Sequence, residues 1–485
     1  MAENLKQKTV KGMFWSFVEQ VLTRGVNFVI AVILARLLSP TDYGLLGMMS
    51  IFICLSQMFA DGGMSVALVR EKNVSEEDKS TVFIFNMVVS IFFYCLLFLI
   101  APSVAAFYGQ PILTPLMRVL ALTFVIGSLT AVHNTMLTIR VDFKTKSIIS
   151  FATALISGTA GIVCAYRGLG VWSLITQSVS AAVVSTLLLF VLVRWCPRLK
   201  FSIESFKRLF GYSSKLLVSN IIIQLYDNSY YMVIGKKFSA ADVGQYTQAS
   251  KYPSVVNQTV TSALNRVAFP ILSRLQDDDE QMLAFYGKYI QVACFVTFPI
   301  MLGLCGCAQP FVSLLLTDKW LECVPLMQII CFSMMLDVVT NISLNLLYVK
   351  GRSDLVLRLE IIKKAIAFSI LFVSMFFGIK VMCLGLVLNA YIGFCLNTLY
   401  TKRILNYGLW PQLKLMAPYF FCALIVLAEG LFFSYLIPVH WQSLLVSLVV
   451  CPLSYWLITK LFNLYAYRET RELAMKKVFK RSSEE

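Results

Sequence analysis

Leu38-Ser39-Pro40-Thr41-Asp42-Tyr43-Gly44 returns two hundred residues later as Phe238-Ser239-Ala240-Ala241-Asp242-Val243-Gly244. Only the Ser, Asp and Gly are identical, so the match gains its weight from its surroundings. Gly12 and Gly211 open the apolar stretches that precede the two copies. The next polar loop after each copy is acidic, Glu76-Glu77-Asp78 in one case and Asp277-Asp278-Asp279-Glu280 in the other. Self-similarity at this spacing marks a chain built from two related halves.

Composition says what the halves are made of. Of 485 residues, 58% are hydrophobic and 14% charged, with a mean hydropathy of +0.75. Soluble proteins carry roughly 25% charged residues, and a spanning helix needs about 20 apolar ones. Apolar stretches of that kind recur at residues 12–35, 44–66, 82–107, 113–138, 148–166, 171–193, 213–234, 243–269, 283–316, 323–349, 356–378, 381–400, 413–436 and 441–462. The reading is an all-α, polytopic membrane protein of about 14 transmembrane helices. The polar, lysine-bearing start followed by a long apolar stretch without a small-residue cleavage site reads as a first span, not a signal peptide. Six spans separate the two copies, an even number, so both enter the membrane from the same side and the repeat is parallel. The expected organisation is a six-helix lobe over residues 1–200, a second over 201–405, two additional helices over 406–465 and a basic cytoplasmic tail over 466–485.

The net charge of +16 and a pI near 9.2 raise the question of nucleic acid. Threading the chain answers it, because 32 of the 42 Lys and Arg residues then collect in alternate loops. Arg140, Lys144 and Lys146 fill one of them, and Arg194, Arg198, Lys200, Lys207, Arg208 and Lys215 the next. This is the positive-inside pattern of a multi-pass membrane protein with both termini cytoplasmic, and no nucleic-acid partner is needed. Thirteen cysteines sit singly in apolar runs, Cys305 and Cys307 excepted, and read as small buried thiols.

Polar residues inside the spans form stripes. At 100° per residue, Gln20, Arg24 and Asn27 share an arc of the first span with Ser16 and Thr23. Asn220, Gln224, Asp227, Asn228 and Tyr231 occupy a similar arc of the seventh, and the repeat offset lays Gln20 over Asn220, Arg24 over Gln224 and Asn27 over Asp227. The eighth span is more polar still, with Lys251, Gln258 and Asn265 on one broad face, Arg266 at its edge and Pro253 an expected kink. Ser50, Gln57 and Asp61 align more thinly in the second. Ser, Thr and single Asn residues in such stripes commonly serve helix-to-helix hydrogen bonds, worth about 0.6 kcal/mol each. A mid-membrane cation is different: it costs on the order of 2.5–3.5 kcal/mol and has to face a partner or a water-filled cavity. Glu19 is about 140° round the helix from Arg24 and faces elsewhere. Asp227 has two open roles, counter-ion to Arg24 or Lys251, or protonatable coupling carboxylate. Ser333, Asp337, Thr340 and Asn341 in the tenth span read as supporting polar contacts, and Glu429 in the thirteenth as a packing group.

Enzyme chemistry finds little purchase. His133 and His440 are the two histidines, and there is no HExxH, GxSxG or GxxxxGK[ST] motif. No metal site and no cofactor is expected. Nothing in the chain reads as an ATPase, and the outer loops are too short for the large catalytic loop of a membrane polymerase.

The opening Gly12 to Trp15, followed by Ile33-Leu34-Ala35-Arg36-Leu37-Leu38-Ser39-Pro40-Thr41-Asp42-Tyr43-Gly44-Leu45, resembles the bacterial polysaccharide exporters, the Wzx-type flippases of lipid-linked oligosaccharides. The likeness extends over about residues 10–400. It implies the two-lobe bundle of the multidrug, oligosaccharidyl-lipid and polysaccharide exporter superfamily, with spans 1, 2, 7 and 8 around an alternately opening cavity. It further implies a substrate of undecaprenyl-diphosphate-linked sugar units, carried across the inner membrane for O-antigen, capsule or exopolysaccharide assembly. On that resemblance Arg24, Lys251 and Arg266 meet the diphosphate. Gln20, Asn27, Asn220, Gln224, Asn228, Tyr231, Gln258 and Asn265 accommodate sugar hydroxyls, and Asp227 couples H+ or Na+. Membrane lipid, a polysaccharide polymerase and glycosyltransferases are the expected partners. The alternatives are a cation-coupled multidrug exporter of the same superfamily and a membrane glycosyltransferase or polymerase.

Overall fold

The computed structural model describes residues 23–61, 63–71, 74–198, 200–469 and 471. Among these residues there is no strand. The elements are α1 over 23–37, α2 (Pro40–Asp61), α3 (Met64–Arg70), α4 (Glu76–Tyr108), α5 (Leu113–Ile139), α6 (Phe143–Tyr166), α7 (Trp172–Val193), α8 (Ile203–Lys237) and α9 (Ala240–Arg274). There follow α10 (Asp279–Gly306), α11 (Ala308–Leu315), a 3-10 turn (Asp318–Trp320), α12 (Cys323–Val349), α13 (Ser353–Ser374), α14 (Ile379–Leu405), α15 (Leu409–Leu436) and α16 (His440–Leu461).

The apolar stretches from residue 44 onward fall on helices, and of the first, 12–35, the described part from residue 23 is helical. Among the described residues ten spans, α2 and α3 counted as one, are long and apolar enough to cross a membrane. α8, α9 and α13 have the length but carry more polar and charged side chains. Two boundaries differ from the hydropathy reading, each for a local reason. α8 starts ten residues before the expected 213, because Ser202 caps it: its Oγ accepts the Ser205 N–H at 3.3 Å, and its own N–H donates to Thr81 Oγ1 at 3.0 Å. The stretch 283–316 is broken after Gly306, where Pro310 in the following turn has no N–H to continue the ladder.

The two copies of the repeat open α2 and α9 in the same way. Ser39 N–H and Oγ donate to Asp42 Oδ2 at 2.8 and 2.7 Å, and Asp42 N–H donates back to Ser39 Oγ at 3.3 Å. Ser239 and Asp242 repeat all three bonds at 3.0, 2.7 and 3.1 Å. This reciprocal box satisfies amide groups that a helix start leaves without partners.

The chain forms two compact units, residues 1–244 and 245–485. In the first, α4 pairs with α5 and α6 with α7 across short connections, α5 packs on α7, and α2 lies against α8 and α4. Val82, Phe83, Val132, Met136, Leu189 and Leu209 form its core below α3. His133 is fully buried there, its Nε2 3.1 Å from the Trp195 carbonyl and its ring against Phe190 and Trp195. The acids at the start of α4 are structural. Ser75 and Asp78 form a capping box, buried Asp78 accepts Arg208 Nη2 at 2.5 Å, and Glu76 accepts Trp195 Nε1 at 2.9 Å.

In the second unit α10 packs on α12 and α15, α12 on α14, and α15 on α16. Tyr286 OH sits 2.7 Å from Ser343 Oγ and donates to Gln412 Oε1 at 3.3 Å, tying α10, α12 and α15 together inside the core. Ser454 Oγ donates to Glu429 Oε2 at 2.5 Å, so Glu429 joins α15 to α16. The outer faces carry large bare side chains such as Leu99, Phe432, Leu448 and Leu461. So much exposed apolar surface fits a lipid solvent and not water.

Candidate functional site

α1, α5, α6 and α7 line an open cavity of about 520 Å³ in the first unit. α6 supplies one wall with Lys146, Ser150, Thr153 and Ser157, at intervals of four, three and four residues that keep them on one helical face. Asn134 comes from α5, Gln177, Ser178 and Ser185 from α7, and Asn27 from α1. Ser178 also lines a neighbouring cavity of about 510 Å³, so the two adjoin. The second is walled by Ser50, Cys54 and Gln57 of α2, Thr123 of α5, and Gln224 and Asn228 of α8.

Hydrogen bonds hold the α8 edge. Asn228 Nδ2 donates to the Gln224 carbonyl at 3.0 Å and to Gln224 Oε1 at 3.2 Å, and the Cys54 thiol donates to the same Oε1 at 3.2 Å. Gln224 is thus oriented by two helices, with its own amide N–H pair turned toward donation. The two cavities present amides and hydroxyls that both donate and accept, with Lys146 the one formally charged residue among those lining them.

Of the stripe residues in spans 1 and 7, Asn27 lines the first cavity and Gln224 and Asn228 line the second. Arg24 lies exposed on α1, one turn before Asn27. Asp227 is exposed and Tyr231 half-buried on α8, and neither lines the cavities. Gln20 and the side chains of Asn220 and Asp61 lie outside the described residues.

The remaining predicted residues belong to the second unit, on α9, which runs through Pro253 as one helix. Lys251 and Asn265 are half-buried, Gln258 and Arg266 exposed. Asn265 Oδ1 accepts Asn345 Nδ2 at 2.8 Å and Asn257 Nδ2 donates to Asp337 Oδ2 at 3.2 Å, so amide and carboxylate groups fasten α9 to α12. A separate cavity of about 570 Å³ in this unit is apolar, walled by Phe295, Pro299, Phe311, Val426, Leu448 and Tyr455 among others.

Sequence reasoning missed Asn134, Thr123, Gln177 and the α6 face. The signal was present in the 146, 150, 153, 157 spacing, but Lys146 counted as one of three loop cations and the hydroxyls as packing groups. Among the described residues no three metal-ligating side chains gather, and all 13 cysteines are free.

A family model for a polysaccharide biosynthesis protein matches residues 33–325. The chain belongs to that family. Among curated relatives, the succinoglycan biosynthesis transport protein ExoT of Rhizobium meliloti is 27% identical over 352 residues, covering 72% of this chain and 71% of that one. The lipopolysaccharide biosynthesis protein WzxC of Escherichia coli is 26% identical over 363 residues, 74% of either chain. Among solved structures, the lipid II flippase MurJ in an inward closed conformation aligns with a TM-score of 0.73 at 16% identity, covering 94% of this chain and 99% of that one. At that identity the likeness is one of fold. The matched stretch includes the Arg36 to Gly44 motif.

Proposed function

We propose that the protein is a flippase that moves undecaprenyl-diphosphate-linked oligosaccharide units from the cytoplasmic to the outer leaflet of the bacterial inner membrane, serving O-antigen, capsule or exopolysaccharide assembly. The observation that carries this reading is the pair of neighbouring amide- and hydroxyl-lined cavities, beside large exposed apolar side chains suited to lipid. Pyranose hydroxyls both donate and accept, and Asn, Gln, Ser and Thr answer both needs. The relatives' names, a succinoglycan transport protein and a lipopolysaccharide biosynthesis protein, support the same substrate class.

In this reading Arg24, Lys251 and Arg266 neutralise the diphosphate in transit through charge-assisted hydrogen bonds. Asn27, Gln224 and Asn228, with Gln20, Asn220, Tyr231, Gln258 and Asn265, attend the sugars. The prenyl tail stays in lipid throughout. Both termini are cytoplasmic, the cycle is alternating access without catalysis, and H+ or Na+ coupled at Asp227 drives it, in association with the polymerase and glycosyltransferases that make and consume the unit.

The test is genetic and biochemical together. Deleting the gene abolishes the surface glycan and leaves lipid-linked units in the inner leaflet, and the intact chain restores export. Surface glycan at normal level in the deletion strain overturns the proposal.

A further inference from the structure

Lys146 is the single formal charge on the wall of the α6 cavity, and no Asp or Glu lines it. Its ammonium makes no ion pair among the described residues. The ordinary explanation for a lysine in the first turn of a spanning helix is snorkelling to lipid headgroups. The geometry of α6 argues against it. Taking Lys146 as zero, Ser150, Thr153 and Ser157 fall within about 40° of it, whereas Ile148, Phe151 and Leu155, which are bare and lipid-directed, fall roughly 140–200° away. Lys146 is on the cavity face, opposite the lipid face.

The groove below it runs about 16 Å along α6 from Lys146 to Ser157. Thr153 and Ser157 continue the wall with hydroxyl-bearing side chains, and Asn134, Gln177 and Ser178 face them from α5 and α7. The carboxylate nearest in sequence, Asp142 at the start of α6, is engaged by Thr145, whose N–H and Oγ1 donate to it at 3.1 and 2.7 Å; a lysine brings three donors and no acceptor, so Lys146 calls for anionic oxygen at one end of a wall otherwise suited to neutral hydroxyls.

We infer that this groove is a glycan subsite and that Lys146 binds an anionic group of the transported unit, either the carboxylate of an acidic sugar or a phosphate oxygen. The inference rests on the flippase reading and adds a selectivity to it. Where the group is a sugar carboxylate, the subsite favours acidic units over neutral ones of the same size; in either case the positive start of α6 reinforces the attraction for an anion.

The experiment measures binding to the purified full chain of three probes: a prenyl-diphosphate-linked disaccharide ending in glucuronic acid, its carboxyl-reduced counterpart, and prenyl diphosphate alone. Loss of one charge-assisted hydrogen bond predicts that Lys146→Gln weakens the acidic probe about tenfold. Lys146→Arg retains binding. If only the acidic probe weakens, the group is a sugar carboxylate; if all three weaken alike, it is the phosphate, and both results uphold the subsite. Unchanged binding of all three, or weakening of the two disaccharides alike with prenyl diphosphate unaffected, overturns it. Transport of either lipid-linked probe by the wild-type chain in vesicles is scored separately, so failure of the flippase reading is distinguishable from failure of this one.

Discussion

Gly44 and Gly244, the last residues of the two repeat copies, meet in backbone contact. A β-carbon built on Gly44 would stand 1.6 Å from the Ala240 carbonyl oxygen and 3.1 Å from the Gly244 amide nitrogen, and one built on Gly244 would stand 1.9 Å from the Pro40 oxygen. Each copy's glycine thus receives the other copy's first turn. The repeat noticed in the sequence is a contact in the structure, and only glycine fits at either position.

Gly44→Ala and Gly244→Ala should each force the two helix starts apart, destabilising the protein by about 1–3 kcal/mol as overpacking does. Gly127→Ala is the control, since nothing lies within 4 Å of its β-carbon position. Thermal unfolding of the purified variants in detergent checks this: the first two should melt lower than wild type, the third should not.

The Ser39–Asp42 and Ser239–Asp242 boxes are equivalent, so Asp42→Ala and Asp242→Ala should cost alike, about 1 kcal/mol each. A large effect at one and none at the other, read by the same melting experiment, would contradict the equivalence.

Asp78 is buried and held by Arg208 and the Ser75 cap, whereas Glu77 in the same acidic run is exposed. Arg208→Ala leaves a buried carboxylate short of a partner and should destabilise by on the order of 1–2 kcal/mol, the half-exposed Arg being partly screened. Glu77→Ala should be silent. Divalent metal should shift neither melting curve, and a metal-dependent shift would revive a ligand role for the run.

Charge reversal at Arg24 or Lys251 should abolish surface glycan while protein level and membrane insertion stay normal. Unchanged glycan in both variants would remove them from the diphosphate path.

Helix existence was legible because spanning segments need length and apolarity, both local properties of the chain. Boundaries were less so: the early start of α8 depends on Ser202 and on Thr81 over a hundred residues away, which no window of sequence sees. The stripes of α1 and α8 contain Asn27, Gln224 and Asn228, which line the two cavities of the first unit. The α6 wall was harder, because Lys146 serves the charge pattern of its loop and the cavity face of its helix at once, and only the packing of α5, α6 and α7 separates the two roles. Asn265 shows the reverse, a stripe residue that the fold commits in part to Asn345 on α12.

The central claim is translocation itself. The decisive measurement is the accessibility of a fluorescent prenyl-diphosphate-linked oligosaccharide in vesicles carrying the purified chain, followed with a membrane-impermeant quencher and no nucleotide present. The account predicts movement between leaflets well above protein-free vesicles, reduced by Arg24→Glu. Movement no faster than in empty vesicles under an imposed H+ or Na+ gradient, or elongation of the glycan from sugar donors in its place, would contradict it.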